Sequence, residues 1–111
     1  MKIEIIENNL YKIGKNSEEN WDLLSLDKEF MWFHLKSLPS CHVILENRNP
    51  TLNEIYIGAN LCLLNTKYKN LKNIKINYTV LDNIKKGDKV GSIIYKSNKK
   101  VKTINIKEVK K

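Results

Sequence analysis

The sequence marks one helix clearly and surrounds it with short segments typical of strands. Pro50 precedes a capping box, in which the Thr51 hydroxyl accepts from a free backbone N–H and Glu54 reaches back to the helix start. After this box, apolar residues recur at helical spacing on one face. They are Leu52, Ile55, Ala59, Cys62 and Leu63. The pattern predicts one long helix over about 52–66.

Short β-rich runs occupy most of the remaining chain. The clearest is 74–80, where apolar residues from Ile74 to Val80 alternate with polar ones, as in a strand with one buried face. The other runs lie at 2–6, 10–13, 31–35, 42–45, 92–95 and 101–106. We expect the runs to form three hairpins: 2–6 with 10–13 through a turn at Asn8-Asn9, 31–35 with 42–45, and 92–95 with 101–106.

A short helix is predicted over about 18–24, with Ser17 as its N-cap. The predicted fold is therefore α+β: a single domain, residues 1–111, in which a mostly antiparallel sheet of about six or seven strands packs on the long helix.

Several classes of protein are excluded by what the sequence lacks. No apolar run approaches the ~20 residues that a membrane span needs, and the first residues do not resemble a secretory signal. We therefore expect a cytoplasmic protein that makes no membrane contact. His34, His42, Cys41 and Cys62 lack metal-ligand spacing, and no hydrolase, P-loop or dinucleotide-binding motif occurs. We expect a protein without enzymatic activity, metal or cofactor; an enzyme acting on RNA is the weaker alternative.

The net charge of +8 is concentrated in the second half of the chain. Residues 1–60 contain 6 basic and 9 acidic residues, a net −3, whereas residues 61–111 contain 14 lysines and 3 acidic residues, a net +11. Such asymmetry is typical of a protein that binds a polyanion, most often a nucleic acid. The competing interpretation is a solvated lysine surface, because 19 of the 20 basic residues are lysines and the composition is that of an AT-rich coding sequence.

The triplet Trp32-Phe33-His34 allows two interpretations. On a strand, Trp32 and His34 share one face and Phe33 takes the other. Either both faces are covered and Trp32 packs beneath a loop, or Trp32 and His34 form an exposed surface with His42, on which a base stacks or a phosphate binds. In both cases we expect His34 and His42 to lie close together on one side of the sheet.

Seven lysines follow the long helix within 23 residues and are offset by two aspartates. They are Lys67, Lys69, Lys72, Lys75, Lys85, Lys86 and Lys89. A turn-rich basic segment can hold several ammonium groups along one groove, where each acts as a point charge on a phosphate. A solvated surface is again the alternative.

Seven motifs follow one another between Tyr11 and Ile106. They are Tyr11-Lys12-Ile13-Gly14-Lys15-Asn16 with Glu19-Asn20, Met31-Trp32-Phe33-His34, Pro39-Ser40-Cys41-His42-Val43-Ile44, Ile57-Gly58-Ala59-Asn60-Leu61, Asn65-Thr66-Lys67, Ile76-Asn77-Tyr78-Thr79 with Lys85-Lys86, and Gly91-Ser92-Ile93-Ile94-Tyr95. In this order they resemble the R domain of the NFACT family. That family includes ribosome quality-control factors that bind the obstructed large ribosomal subunit with tRNA.

The resemblance implies an RNA-binding domain and has four departures. Phe30 stands where the family motif has Asp, Ser40 and Cys41 replace Gly and Ser, and Asn60 replaces Ala. The full-length factors also carry an N-terminal domain and a coiled-coil middle. This chain resembles a stand-alone R domain, and the peptide-tailing activity of the full-length factors is not implied.

Charge and resemblance together predict a nucleic-acid-binding module for structured RNA, either tRNA or rRNA, in a translation or ribosome quality-control context. DNA and the ribosome are further candidate partners. The alternative is a protein-interaction module of the same fold that has lost RNA binding. The residues expected to contact RNA are Lys15, Asn16, Trp32, His34, Lys36, His42, Arg48, Lys67, Lys69, Lys72, Lys75, Lys85 and Lys86.

Overall fold

The computed structural model describes all residues, Met1–Lys111, and confirms an α+β domain with one longer and one short helix. The strands are β1 (Lys2–Ile6), β2 (Asn9–Ile13), β3 (Met31–Leu35), β4 (Val43–Leu45), β5 (Ile74–Val80), β6 (Ile84–Lys86), β7 (Ile93–Tyr95) and β8 (Lys102–Ile106). The helices are α1 (Ser17–Asp22) and α2 (Leu52–Leu64), with 3-10 turns at Leu23–Ser25, Leu81–Asn83 and Asn98–Lys100.

Six strands form one antiparallel sheet in the order β1-β2-β4-β3-β5-β8, so β1 and β8 are its two edges. The strands β6 and β7 form a separate two-stranded ribbon. The main sheet therefore has a strand number within the predicted range, and the ribbon brings the total to eight.

One of the three predicted hairpins is wrong, and another has its turn displaced. The pairing of β3 with β4 is confirmed, with Trp32 opposite Ile44. The run 92–95 pairs with β6 instead of β8, because Gly91, at a φ of 90°, helps the chain fold back on β6. The strand β8 pairs with β5 at the sheet edge. In the first hairpin the turn residues with positive φ are Glu7 and Asn8, one position earlier than predicted.

The long helix begins as predicted, because both bonds of the Thr51–Glu54 capping box are present. It ends at Leu64, two residues before the predicted boundary. Leu52 is 70% exposed, contrary to its predicted place on the apolar face, because it is the first residue of the helix and lines a surface cavity. The helix has 13 residues, and no helix of the chain has the length and apolar character that a membrane span requires.

A glycine lets α2 pack closely on the sheet. A Cβ added at Gly58 would lie 2.5 Å from Cζ of Phe33, well inside van der Waals contact. Phe33 belongs to the larger of two cores, which joins one face of the sheet to α2. Its fully buried members include Tyr11, Leu45 and Cys62.

The smaller core covers the centre of the opposite face of the sheet. It contains Leu23, Leu24, Trp32, Ile44, Leu81 and Ile84. These residues come from the 3-10 turn after α1, from β3 and β4, from the 3-10 turn after β5 and from the first residue of β6. This core does not extend to β1, where Ile3 and Ile5 remain exposed.

The short helix is capped by Asn16 and not by Ser17. The Asn16 side-chain oxygen accepts from the Glu19 backbone N–H at 2.9 Å. The helix ends at Asp22, where the 3-10 turn replaces the predicted last two residues. Asn16 therefore has a structural role that accounts for its side chain.

Candidate nucleic-acid interface

A basic groove lies between the α1 segment and the β6–β7 ribbon. Its volume is about 410 Å³, and four lysines and the Asp22 carboxylate line it. The lysines come from three parts of the chain: Lys28, Lys85, Lys86 and Lys96. We call it the Trp21 groove, because the Trp21 side chain forms part of its wall. Positive charge concentrated in a concave surface attracts a polyanionic backbone.

The Trp21 ring is fixed at this groove by two contacts. Its indole N–H donates to the Ser92 carbonyl oxygen at 2.8 Å, which ties α1 to the loop before β7. The Lys86 ammonium lies 4.9 Å from the ring centroid, a cation–π arrangement. The side chain is half-buried. An aromatic ring and a cation therefore share one wall of the groove.

Three of the basic and aromatic residues of the groove were not predicted from the sequence: Trp21, Lys28 and Lys96. Lys28 belongs to the acidic half of the chain, and its ammonium donates to the Leu24 carbonyl oxygen at 2.8 Å. Lys96 is an isolated charge after β7. Only the pairing of β6 with β7 would have indicated that Lys96 lies near the predicted basic pair.

A second basic cavity brings together two predicted lysines that are far apart in the sequence. Lys15, after β2, and Lys67, after α2, both line a cavity of about 510 Å³. Its other polar side chains are Asn20, Ser40, Cys41, Asn65 and Thr66. Asn16 was predicted to contact RNA, but its side chain caps α1.

The remaining predicted lysines do not form one continuous groove after α2. Lys36 and Lys75 line a smaller cavity of about 220 Å³, where the Lys36 backbone N–H donates to the Lys75 carbonyl oxygen at 2.9 Å. Lys69 and Lys72 are exposed and line none of these three cavities. The lysines that were expected to act together are thus divided among separate sites.

The cluster of Trp32, His34 and His42 lies mostly inside the protein. The two imidazole centroids are 5.2 Å apart, which confirms the predicted proximity. Trp32 is 0% exposed and His42 is 2% exposed, because the smaller core and Tyr95 of the ribbon pack against this face. The prediction that Trp32 and His42 form an RNA-contacting surface is therefore wrong. Only His34 retains partial exposure.

Hydrogen bonds define the protonation of both histidines. The Trp32 indole N–H donates to Nδ1 of His42 at 3.2 Å, so this nitrogen carries no proton. Burial, followed by repulsion from His34, lowers the pKa of His42 to about 3. Nδ1 of His34 lies 2.6 Å from the Leu35 carbonyl oxygen and must donate to it, while burial lowers the pKa of His34. Both rings are neutral at pH 7 and supply no charge for a phosphate.

Arg48 is held by two carboxylates. Its guanidinium pairs with Asp27 and, at 3.2 Å, with Glu29. The pKa of the Asp27 carboxyl is lowered by a hydrogen bond from the Glu29 backbone N–H and by the guanidinium of Arg48. The net charge of this trio is negative, which argues against the predicted contact between Arg48 and RNA.

The two cysteines lie side by side. Cys62 is buried in the larger core, as predicted, and burial raises the pKa of its thiol. Each thiol is 3.5 Å from the backbone carbonyl oxygen of the other cysteine. No group of three or more His, Cys, Asp or Glu side chains is arranged to hold a metal ion.

The sequence is similar to part of a known bacterial protein. No family model matches the sequence. The chain is 28% identical over 89 residues to the Rqc2 homolog RqcH of Bacillus subtilis (strain 168), an alignment that covers 77% of this chain and 16% of RqcH. The chain thus corresponds to a small part of that relative.

Structural comparison gives a shared fold. The C-terminal part of the fibronectin/fibrinogen-binding protein from Streptococcus suis matches with a TM-score of 0.85 at 21% identity. The match covers 96% of this chain and 45% of that structure. The sheet and helices described above are therefore an architecture found in another protein.

Proposed function

We propose that the protein binds structured RNA, either tRNA or rRNA, with the phosphate backbone in the Trp21 groove. The observation that carries this proposal is the convergence of four lysines from three chain segments on one cavity with a single carboxylate. A solvated lysine surface would scatter its charges and would not require α1 and the ribbon to meet around them. The convergence therefore favours a binding site over a lysine surface that only contributes to solubility.

The proposed mechanism is capture of the backbone by charge and recognition of its shape. Each ammonium acts as a point charge on a phosphate, and counterions leave the RNA when the lysines replace them. When a phosphate draws the Lys86 ammonium away, the Trp21 face becomes available for a base or ribose to pack on it. Lys15 and Lys67 extend the contact at the second cavity.

The context we propose is translation, and within it ribosome quality control. Similarity to RqcH and resemblance to the NFACT R domain support this context, because both point to the same family. In this proposal the protein acts by binding, without catalysing a reaction, and it works in the cytoplasm. DNA and the intact ribosome are further ligands that share the same backbone chemistry.

The alternative is a protein-interaction module, and two observations favour it. Trp32 and His42 are buried and Arg48 is paired, so three of the predicted RNA-contacting residues are not available. The exposed Ile3 and Ile5 also offer an apolar surface. The alternative gains support if the groove lysines prove dispensable for RNA binding.

The test compares two variants with the same change of charge. In the groove variant, Lys28, Lys85, Lys86 and Lys96 are replaced by Gln; in the control, Lys69, Lys72, Lys107 and Lys111 are replaced by Gln. Fluorescence anisotropy with labelled tRNA, an rRNA hairpin and a DNA duplex gives the affinities at one salt concentration. We expect the groove variant to lose about tenfold or more in RNA affinity and the control to lose much less. Equal losses would indicate diffuse charge attraction and contradict the proposed site.

A further inference from the structure

The outer strand of the sheet exposes apolar side chains. Ile3 and Ile5 of β1 are 53% and 72% exposed. They point to the face of the sheet opposite α2, beyond the limit of the smaller core. A strand edge with large apolar side chains, and without proline or a bulge, is a template for pairing with another strand.

The backbone of β1 is also free to pair. The Glu46 backbone N–H donates to the Leu10 carbonyl oxygen at 3.0 Å, so Leu10 directs its backbone groups toward β4. Ile5, which lies opposite Leu10 in the hairpin, therefore directs its own N–H and C=O away from β2. Ile3, two residues earlier, does the same. Both residues present unpaired donors and acceptors at the open edge.

We propose that a second copy of this chain pairs with this edge, so that the two β1 strands run antiparallel about a two-fold axis at Ile3. Ile3 then faces Ile3 of the partner subunit, and the two six-stranded sheets become one continuous sheet. The outward backbone groups of Ile3 meet their counterparts as a hydrogen-bonded pair. The exposed side chains gather on one face, where Ile3 packs on Ile3 of the partner subunit and Ile5 lies opposite Met1 of the partner subunit.

Charge selects this register over its neighbours. With Ile3 at the axis, Lys2 lies opposite Glu4 of the partner subunit, and the same contact repeats across the axis. A shift that places Ile3 opposite Ile5 of the partner subunit sets Glu4 against its own copy, which is repulsive. A further shift in the same direction, which places Ile5 opposite Ile5 of the partner subunit, reaches Glu7, where a φ of 49° ends the strand. A shift in the other direction sets Lys2 against its own copy, which is also repulsive. Only one register therefore combines opposite charges with a complete ladder.

The other sheet edge lacks these features. The exposed side chains of β8 are Lys102, Thr103 and Asn105, and none is large and apolar. Lysine at an edge opposes pairing with a second strand. In β1 the Lys2 ammonium donates to Asn65 Oδ1 at 3.2 Å, an exposed bond that the partner carboxylate replaces. The two edges thus differ, and β1 is the one fitted to a second copy.

Sedimentation equilibrium of the intact chain, from about 10 μM to about 1 mM, tests the dimer without RNA. We expect a concentration-dependent monomer–dimer equilibrium in the wild type. Ile3→Arg places two like charges at the axis and should weaken the dimer by about tenfold or more. Leu71→Arg is the matched control, since Leu71 is 48% exposed and lies outside β1, and it should leave the equilibrium unchanged. A monomeric wild type, or equal dimers in the Ile3→Arg variant, would overturn the proposal.

A charge exchange tests the register itself. Lys2→Glu and Glu4→Lys should each weaken the dimer, because each sets like charges opposite one another in this register. The double variant K2E/E4K restores both pairs and should return the dissociation constant to within about twofold of the wild type. Both residues are at the surface, and thermal melts that match the wild type show that the monomer fold is intact. A double variant as weak as the single ones would contradict the register.

Discussion

The two tryptophans of this protein lie on the same side of the sheet and have different environments. Trp32 is 0% exposed, and its indole N–H is bonded to a buried imidazole. Trp21 is half-buried, its indole N–H is bonded to a loop carbonyl, and a lysine ammonium lies over its ring. The first holds a small core together, whereas the second forms the wall of a charged groove.

The difference shows that alternation along a strand indicates on which face of the sheet a side chain lies. It does not indicate which other residues cover that face. Alternation correctly placed Trp32 and His34 together, yet Trp32 is buried in part by Tyr95 of the ribbon, which is far from it in the sequence. Trp21 is only partly buried. Its site becomes visible only when the ribbon is folded against α1.

The largest expected effect is on stability, where the loss of Trp32 should cost much more free energy of unfolding than the loss of Trp21. Trp32→Ala leaves a cavity in the smaller core and an unpaired His42 nitrogen, and we expect a loss of about 3–5 kcal/mol in the free energy of unfolding. Trp21→Ala removes one hydrogen bond at a half-exposed site and should cost about 1 kcal/mol. Urea denaturation followed by circular dichroism measures both. Equal losses would mean that Trp21 is as much a core residue as Trp32.

The pH dependence of stability should report on the polar part of the Trp32 core. The unfolded His42 has a pKa near 6.5, whereas in the folded protein it is about 3. Between these values the unfolded chain binds a proton that the folded chain does not, so stability falls as the pH drops below about 6.5. From about pH 7.5 to about pH 5 this amounts to about 2 kcal/mol.

His42→Gln is the matched variant for this measurement. Its side-chain oxygen can still accept from Trp32, but the side chain does not titrate. The difference in stability between the two pH values should therefore be smaller in the variant by about 2 kcal/mol. An unchanged pH dependence would show that His42 is not responsible, and His34, with its lowered pKa, would be the remaining candidate.

For RNA affinity we expect the reverse of the effect on stability: Trp21 should matter more than Trp32. Trp21→Ala should weaken tRNA binding by about tenfold, because base stacking on one aromatic ring contributes about 1–3 kcal/mol. Trp32→Phe keeps an aromatic ring in the core and should bind RNA like the wild type once the protein is shown to be folded. An affinity that follows Trp32 and not Trp21 would reinstate the strand surface predicted from the sequence.

Local signals in the sequence predicted local structure well. The capping box at Thr51 and Glu54 predicted the start of α2, and alternation predicted β5. These patterns depend on neighbours within a few residues. The groove depends on contacts between residues far apart, such as Trp21 with Ser92, for which the sequence contains no comparable signal.

The charge pattern indicated which half of the chain is basic, but not which charged side chains lie together in the fold. It correctly placed most lysines in the second half of the chain, including Lys85 and Lys86 of the groove. It could not reveal that Arg48 is neutralised by two carboxylates or that Lys28, from the acidic half, joins the groove. Proximity in space, and not in sequence, decides which charges act together.

The salt dependence of tRNA binding tests directly whether the groove lysines replace counterions on an RNA backbone. For four to six phosphate contacts, log K should fall against log salt with a slope of about −3 to −5 in the wild type. The variant with Lys28, Lys85, Lys86 and Lys96 replaced by Gln should have a slope that is shallower by about 3. A wild-type slope near zero, or a variant slope equal to that of the wild type, would contradict the proposed role of the groove lysines.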